Sequence, residues 1–210
     1  MSGYNSFLSM EKLLDIGLFV IVINLIVFVG IILIIMSATI SFIENKDKKS
    51  IKIKKFTPIT TFLIILFFFL IYFIIDDEIG IFHVKNIFLG YFIQIAGLII
   101  FSLSVTFHIS AKIALGRNWS NKVLVYKDHK LIKNGVYSLV RHPIYASMIW
   151  ALIGIGFIYL NYIVILLDFI IFAPAMYYRA KQEEKLLANR FKEYSKYIKD
   201  VPMFLPKWPK

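Results

Sequence analysis

The chain has 210 residues, of which 59% are hydrophobic, and a mean hydropathy of +0.74, which is more apolar than the core of a water-soluble domain of this size requires. Its net charge is +11, but the lysines gather between apolar runs rather than along a face interleaved with aromatic side chains, so nucleic-acid binding is a poor explanation. The absence of cysteine excludes disulfides, thiolate metal sites, a cysteine nucleophile and prenylation of the chain itself.

Five apolar runs follow in chain order and predict an all-α membrane protein with about five transmembrane helices. The first run is interpreted as a retained span, because neither a basic segment nor a small-residue cleavage site marks it as a signal peptide. The second is close to the lower length limit for a helical span, and the third can continue as helix past His108. Only Asn161 separates the last two runs, which predicts a tight helical hairpin. The five runs are residues 18–42, 59–75, 87–105, 144–160 and 162–177.

The charges of the connecting segments predict the orientation, because Lys and Arg in short loops resist translocation whereas acidic residues have little effect. Residues 46–55, residues 112–141 and the tail from Arg179 are basic, but residues 76–85 carry a single lysine. An N-terminus outside and a C-terminus in the cytoplasm puts every basic segment on one side. We therefore expect a multi-pass protein of the cell membrane, or of the inner membrane if the source is prokaryotic.

The tail beyond the fifth run predicts a cytoplasmic amphipathic helix over residues 179–199. Its apolar side chains recur at nearly the spacing of one helical face. Such a helix is expected to lie on the lipid headgroups. The apolar positions are Leu186, Leu187, Phe191, Tyr194 and Ile198.

Residues 134–145 predict an abrupt start for the fourth helix. Asn134-Gly135 is typical of a turn. Pro143 suits the first helical turn, where its missing N–H costs nothing, and it disfavours helical backbone at His142. The unpaired N–H groups at this helix start could bind the carboxylate or another oxygen group of a polar cofactor. Taken alone, Arg141-His142 is more simply explained as a basic anchor at the membrane boundary.

Three charged residues follow the fifth run. Arg179 stands four residues before Glu183, so that both lie on one helical face, and Glu184 is adjacent. The simple interpretation is a solvated ion pair, which would contribute little. The helical hairpin, however, returns the chain to the level of Arg141 and His142. The sequence therefore predicts that four polar groups converge in one pocket at the membrane boundary.

Several short motifs stand in a fixed order in the C-terminal half of the chain. They are Leu115-Gly116-Arg117-Asn118-Trp119-Ser120, Gly135-Val136-Tyr137, Arg141-His142-Pro143-Ile144-Tyr145, Arg179 with Glu183-Glu184, then Phe191, Tyr194 and Tyr197, and finally Pro202-Met203-Phe204-Leu205-Pro206. Together they resemble the isoprenylcysteine carboxyl methyltransferase and phospholipid methyltransferase superfamily, over about residues 112–206. We expect one integral membrane domain, residues 1–210, in which a three-span part (1–111) precedes a cofactor-binding and catalytic part (112–210).

The resemblance implies S-adenosylmethionine-dependent methyl transfer at the cytoplasmic face, with a lipophilic or isoprenylated acceptor that enters from the bilayer. Methyl transfer from a sulfonium is an in-line displacement, so the protein mainly positions the reactants and keeps water away. By similarity, Arg179 and Glu183 are the candidate catalytic residues: Arg179 would orient an acidic acceptor, whereas a glutamate would be the partner and base for an amine. No metal is implied. The candidate cofactor-binding residues are Tyr137, Val140, Arg141, His142, Pro143, Tyr145, Glu183 and Glu184.

Four tyrosines near the predicted boundary admit two interpretations. A sulfonium is attracted to aromatic faces, so they could contact the cofactor. Interfacial tyrosines are more often membrane anchors. The four are Tyr137, Tyr145, Tyr177 and Tyr178.

Several polar residues lie within or beside the apolar runs. Asp168 lies midway along the fifth run, where an ionisable group is either functional or a protonated packing residue. His108 and His129 flank the polar segment and are interpreted as ordinary boundary residues. Asn24 and Gln94 are expected to form hydrogen bonds between helices.

Three alternative functions remain open. A phospholipid N-methyltransferase carries the same motifs, and the sequence does not decide between oxygen and nitrogen acceptors. A membrane reductase of the sterol reductase type has a similar C-terminal architecture but uses NADPH, and the Arg141-His142-Pro143 triplet with the glutamate pair favours the methyltransferase. A transporter or non-catalytic membrane partner would carry functional polar residues along its spans, whereas here they cluster at one boundary.

Overall fold

Five apolar helices dominate the structure and lie where the apolar runs predict them. The computed structural model describes residues 17–37, 50–53, 58–116, 124–126 and 131–207. Its elements are α1 (Gly17–Ser37), β1 (Ser50–Ile53), α2 (Pro58–Asp76), α3 (Ile87–Leu115), β2 (Leu124–Tyr126), α4 (Val136–Leu139), α5 (Pro143–Ile158), α6 (Tyr162–Leu167), a π-helical segment (Asp168–Phe172), α7 (Ala173–Arg190) and α8 (Tyr194–Asp200).

The chain is an integral membrane protein. Three helices are long and apolar enough to cross a membrane: α1, α3 and the continuous helix Tyr162–Arg190 formed by α6, the π-helical segment and α7. The stretch Ile64–Asp76 of α2 and the helix α5 are also apolar but shorter. Many large side chains on these helices are exposed, including Phe28, Phe69 and Phe88, as expected for surfaces that face lipid. The predicted number of spans stays a prediction.

Besides the helices, β1 and β2 form a short antiparallel ribbon. Ser50 pairs with Tyr126, and Ile53 pairs with Leu124. Backbone N–H and C=O groups that leave a helix still need partners, and the two connecting segments supply them to each other. The ribbon joins residues 50–53 of one basic segment to residues 124–126 of another, so these two stretches lie at the same end of the helices.

The antiparallel pair α3 and α5 forms the centre of the fold. A Cβ on Gly97 would lie 2.7 Å from the backbone nitrogen of Ile158, and one on Gly154 would lie 2.8 Å from the nitrogen of Phe101. Small residues thus let the two backbones approach closely, which is a common basis of helix association in membranes. Gln94 Nε2 also donates to the Ile158 carbonyl at 3.0 Å.

The other helices pack against this pair. Ile23 and Val27 of α1 join α3 in one apolar cluster. On the other side, α2 contacts the helix after the hairpin, where the rings of Phe67 and Phe172 stack at 5.3 Å. On α1, Asn24 Oδ1 accepts a hydrogen bond from Tyr159 Oη at 2.7 Å, so both polar residues expected to bond between helices do so.

Asn161 connects α5 to α6. Its side chain accepts from the Val164 N–H at 3.1 Å, which caps α6, and donates to the Ile79 carbonyl at 2.9 Å. The segment after α2 is thereby held against this turn, where Ile81 and Asn161 also form a backbone bridge. Residues 76–85 therefore lie at the end of the helices opposite the basic ribbon.

The amphipathic tail helix expected over residues 179–199 is not a separate element. The helix that begins at Tyr162 continues to Arg190, and the chain turns at Phe191 before α8. Residues 179–190 are mostly strong helix formers without glycine or proline, so nothing ends the helix at the membrane boundary. Tyr194 and Tyr197 of α8 are buried against the protein rather than facing lipid.

Candidate active site

The site is built where α5 begins. Val140 is extended, with φ −142° and ψ 148°, and Pro143 is at the first position of the helix. The backbone N–H of Arg141 donates to the Pro202 carbonyl at 2.8 Å, and that of His142 donates to the Met203 carbonyl at 3.1 Å. The C-terminal segment therefore runs alongside this turn and fixes its backbone.

The Arg141 guanidinium joins three elements. Its Nε and Nη2 lie 2.8 Å from Glu184 Oε1 on α7, and its Nη1 donates to the carbonyls of Ile198 (3.0 Å) and Val201. Both charged side chains are buried. A buried ion pair is tolerated when its remaining donors are satisfied, and the carbonyls at the end of α8 satisfy them. Arg141 thus holds α7 and α8 against the start of α5.

His142 lies between the two glutamates. Its Nδ1 is 3.6 Å from Glu183 Oε2, and its Nε2 is 3.4 Å from Glu184 Oε1. The second contact lacks hydrogen-bond geometry, so Nε2 is a buried polar atom that forms no hydrogen bond. Burial disfavours the charged imidazolium, but the interactions with Glu183 and Glu184 outweigh it and raise the pKa of His142.

Tyr145 forms the opposite wall of the site. Its ring stacks on that of His142 at 5.7 Å with an interplanar angle of 9°, and its hydroxyl donates to Glu183 Oε1. The Arg179 guanidinium lies over the same ring, 5.4 Å from its centroid, while Arg179 Nε is 3.9 Å from Glu183 Oε1. Arg179 and Glu183 therefore meet an imidazole and an aromatic face rather than open solvent.

The remaining predicted site residues support this wall. Val140 is fully buried, and the carbonyl of Tyr137 accepts a hydrogen bond from the Tyr197 hydroxyl at 2.5 Å. Burial raises the pKa of the Tyr137 phenol, so it stays protonated. Of the tyrosines considered for sulfonium binding, Tyr137 and Tyr145 are buried here, whereas Tyr177 and Tyr178 are exposed.

The sequence interpretation of His108 as a boundary residue is wrong. Its side chain is buried on α3, and Nδ1 lies 3.0 Å from Ser147 Oγ on α5. Ser147 Oγ donates its own proton to the Ile144 carbonyl at 2.7 Å, so His108 Nδ1 is the donor. One helical turn further, Lys112 is also buried, and sequence reasoning missed it. The sign that could have revealed both is their spacing of four residues on a helix that continues past residue 105.

Other predicted positions lie apart from this cluster or outside the described residues. Asp168 is buried in the π-helical segment, and neither carboxyl oxygen forms a hydrogen bond. His129 and residues 117–120 are not among the residues that the structure describes. Within the described ranges, no group of three or more metal-ligating side chains occurs.

The family model of the isoprenylcysteine carboxyl methyltransferase (ICMT) family matches residues 95–189. This range contains Arg141, His142, Tyr145, Arg179 and the two glutamates. Residues 95–189 are similar to the ICMT family. The match extends from α3 through most of α7, whereas α1 and α2 lie outside it, so the similarity concerns the helices that build the site.

Three curated proteins are similar to part of the chain. The protein-S-isoprenylcysteine O-methyltransferase of Schizosaccharomyces pombe is 35% identical over 104 residues, which are 48% of this chain and 44% of that protein. That of Saccharomyces cerevisiae is 34% identical over 94 residues, 43% of this chain and 39% of that protein. The cobalt-zinc-cadmium resistance protein CzcN of Cupriavidus metallidurans is 31% identical over 84 residues, 39% of this chain and 38% of that protein. The chain thus spans less than half the length of these curated relatives.

A solved ICMT structure was also found. It is described as the eukaryotic intramembrane Ras methyltransferase ICMT, and it aligns with 55% of this chain and 42% of the solved chain at 26% identity and a TM-score of 0.48.

Proposed function

We propose that the protein is an S-adenosylmethionine-dependent membrane methyltransferase that methylates the carboxyl group of a lipophilic, isoprenylated acceptor at the cytoplasmic boundary. One observation carries the proposal: the region that matches the ICMT family brings together two arginines, a histidine, a tyrosine and two glutamates beside the start of α5, and four of these six residues are buried. A surface ion pair would not need this convergence.

The residues present fit S-adenosylmethionine, which supplies an electrophilic methyl group on a positively charged sulfur. The N–H groups of Ile144 and Tyr145 are in the first turn of α5 and therefore have no acceptor within the helix. The side chain of His142, the N-cap residue, does not accept from them either, so these N–H groups could bind a carboxylate. Glu183 suits the cofactor's ammonium, and the aromatic face of Tyr145 suits the sulfonium. The residues proposed to hold the cofactor are Tyr137, Val140, Arg141, His142, Pro143, Tyr145, Glu183 and Glu184.

Two of these residues, Arg141 and Glu184, are proposed to position other site residues. They form a buried ion pair at 2.8 Å, which holds α7 beside the start of α5. Lys181 Nζ, 3.2 Å from the other Glu184 oxygen, strengthens this arrangement. Glu183 is the more accessible carboxylate, with 26% of its side chain exposed. It is therefore the better candidate for direct contact with ligand.

Arg179 is proposed to orient the acceptor. A guanidinium pairs with a carboxylate through two parallel hydrogen bonds, which would hold an acceptor oxygen in a fixed direction. The Tyr145 ring below Arg179 and the Glu183 carboxylate beside it limit its rotamers. Positioning of this kind, with water kept out, is the main contribution that a protein makes to a displacement at a methyl group.

The surroundings of Glu183 favour an oxygen acceptor over an amine. A carboxylate acceptor is already deprotonated, but an ammonium must first lose a proton to a base. Arg179, His142 and the Tyr145 hydroxyl all stabilise the charged form of Glu183, which makes this carboxylate a weak base. Carboxyl methylation is thus better supported than phospholipid N-methylation.

A groove beside α5 supports a lipophilic acceptor. It has a volume of ≈ 440 Å³, is open, and is lined mainly by apolar side chains of α3 and α5. Six of its lining residues are on α3 and one is on α5, the helix whose first turn carries part of the site, so the isoprenyl chain of an acceptor is the occupant that we propose. Its lining residues are Ile100, Leu103, Ser104, Thr106, Phe107, Ser110 and Trp150.

Two measurements on one detergent-purified preparation test the proposal. Calorimetry should detect binding of S-adenosylmethionine at micromolar concentrations and no binding of NADPH. Labelled S-adenosylmethionine should then transfer its methyl group to an S-isoprenylated cysteine derivative with a free carboxylate, as a base-labile ester. NADPH binding without S-adenosylmethionine binding would support the reductase, and labelled phospholipid amine would support the N-methyltransferase. Binding of neither cofactor would leave a transporter or non-catalytic partner.

A further inference from the structure

The register of α3 against α5 determines which α3 residue reaches the site. The two helices are antiparallel, and their contacts place Gly97 against Ile158, and Phe101 against Gly154. Further along, His108 Nδ1 lies 3.0 Å from Ser147 Oγ. One turn of helix advances about 5.4 Å. Continuing in the same register, Lys112 stands opposite the first turn of α5, where His142 and Tyr145 lie.

Lys112 is a buried lysine at this position. The residue is 5% exposed, and it is close enough to Arg179 for an electrostatic interaction between them. Like charges repel strongly in a buried environment, and the positive end of the α5 dipole adds to the same field. A buried His142 Nε2 without a hydrogen bond faces the same turn. Two basic side chains beside the N-terminus of a helix are an arrangement that can bind an anionic ligand group.

We propose that Lys112 is a further ligand-binding residue, which together with Arg179 forms a two-cation site for a carboxylate. The inference rests on the proposed function and deepens it, because it assigns the carboxylate a second partner on α3. Arg179 provides a planar pair of donors, and Lys112 provides a compact charge that can meet the other oxygen. Two ligands carry a carboxylate here: the acceptor and S-adenosylmethionine.

The test compares Lys112→Met, which removes the charge and keeps the apolar stem, with Lys112→Arg, which keeps the charge. Lys185→Met is the matched control, since Lys185 is an exposed lysine of α7. For each protein, calorimetry gives the Kd of S-adenosylmethionine, and initial rates give the KM of an S-isoprenylated cysteine derivative. The same derivative with a carboxamide in place of the carboxylate serves as a competitive inhibitor. Lys112→Gln provides a second charge-removing variant if the methionine variant does not fold.

Loss of the Lys112 charge should weaken carboxylate binding about tenfold or more, and Lys112→Arg should recover most of it. If Lys112 binds the carboxylate of the acceptor, the KM of the acceptor rises in Lys112→Met. The preference for carboxylate over carboxamide then decreases, and the Kd of the cofactor is unchanged. If Lys112 binds the carboxylate of the cofactor, the Kd of the cofactor rises in Lys112→Met. The preference for the carboxylate acceptor over its carboxamide analogue is then unchanged. Either result supports the two-cation site.

An active wild-type protein whose Lys112→Met variant has the wild-type Kd, KM and carboxylate preference would overturn this inference alone. A folded wild-type protein that neither binds S-adenosylmethionine nor methylates the acceptor would overturn the proposed function, and the inference with it. The control variant Lys185→Met should have the wild-type Kd, KM and carboxylate preference.

Discussion

Arg179 and Glu183 lie on one face of α7 but have different surroundings. Arg179 covers the ring of Tyr145, whereas Glu183 contacts the Tyr145 hydroxyl and lies 3.6 Å from His142. A boundary ion pair of the ordinary kind has solvent around both partners. Here the Arg179 side chain is only 12% exposed, so removing one partner leaves the other charge in a poorly solvated place.

We predict that Arg179→Ala and Glu183→Ala impair the proposed activity in different ways. Arg179→Ala should reduce methyl transfer by about a hundredfold or more with little change in cofactor affinity, because the guanidinium is proposed to orient the acceptor. Glu183→Ala should raise the Kd of S-adenosylmethionine about tenfold, because the carboxylate would contact a cationic part of the cofactor. Calorimetry and single-turnover kinetics separate the two effects.

A surface ion pair supplies the control. Lys133 and Glu193 lie 2.9 Å apart but are 43% and 58% exposed, so Lys133→Ala should change neither binding nor turnover beyond about twofold. If Arg179→Ala and Glu183→Ala behave like Lys133→Ala, the predicted roles of both residues are wrong.

At the level of elements, the α3–α5 contact positions the site. The start of α5 carries Pro143 and Tyr145, and the other end of the helix packs on α3 through Gly97 and Gly154. The atoms that a new Cβ would meet at Gly97 include backbone atoms, which cannot move independently of their helix. A change at this contact therefore shifts the whole of α5, including its first turn.

We predict that Gly97→Ala destabilises the protein, whereas Gly90→Ala on the same helix does not. At Gly97 the added methyl group would lie 2.7 Å from the Ile158 nitrogen and 2.8 Å from the Gly154 carbonyl oxygen. Overpacking of this kind costs about 1–3 kcal/mol. At Gly90 the nearest atom is 3.8 Å away, so alanine should be neutral or stabilise the helix by up to about 1 kcal/mol. Thermal unfolding in detergent measures both, and equal midpoints for the two variants would contradict the close packing of α3 and α5.

At the scale of the whole molecule, the two ends of the helices differ in charge. The ribbon of β1 and β2 joins residues 50–53 and 124–126 of two basic segments at one end. Residues 76–85, with three acidic side chains and a single lysine, are held against Asn161 at the other end. Because basic loops resist translocation, the end that carries the ribbon and the site is predicted to face the cytoplasm.

Reporter fusions test this orientation. Fusions at Lys49 and Lys210 should report the cytoplasm, and a fusion at Asp77 should report the opposite side. A second check, which needs no fusion partner, is the accessibility of single cysteines at the same positions to an impermeant thiol reagent, since the chain has no cysteine of its own. A fusion at Asp77 that reports the cytoplasm would contradict the five-span topology. It would also contradict the predicted cytoplasmic location of the site, because Asp77 lies at the opposite end of the helices.

Much of the architecture follows from local sequence. Long apolar runs predict the helices, because a buried or lipid-facing backbone must satisfy its hydrogen bonds within the segment. Pro143 and Asn161 predict the bounds of α5 and the turn after it, because both act on their immediate neighbours. The return of Arg179 and Glu183 to the level of His142 also follows, because two helices of similar length joined by a short turn end near each other.

Only the tertiary structure decided how the side chains pair. Glu183 and Glu184 are neighbours in sequence but point about 100° apart on a helix, so the rotation of α7 determines that Glu184 meets Arg141. The pairing of His108 with Ser147, and with it the position of Lys112, depends on the register of α3 against α5. The hydropathy pattern does not predict that register, because two apolar helices bury a similar surface area in any register. It is set instead by the close contact at Gly97 and Gly154, which forms between residues more than fifty positions apart in the chain.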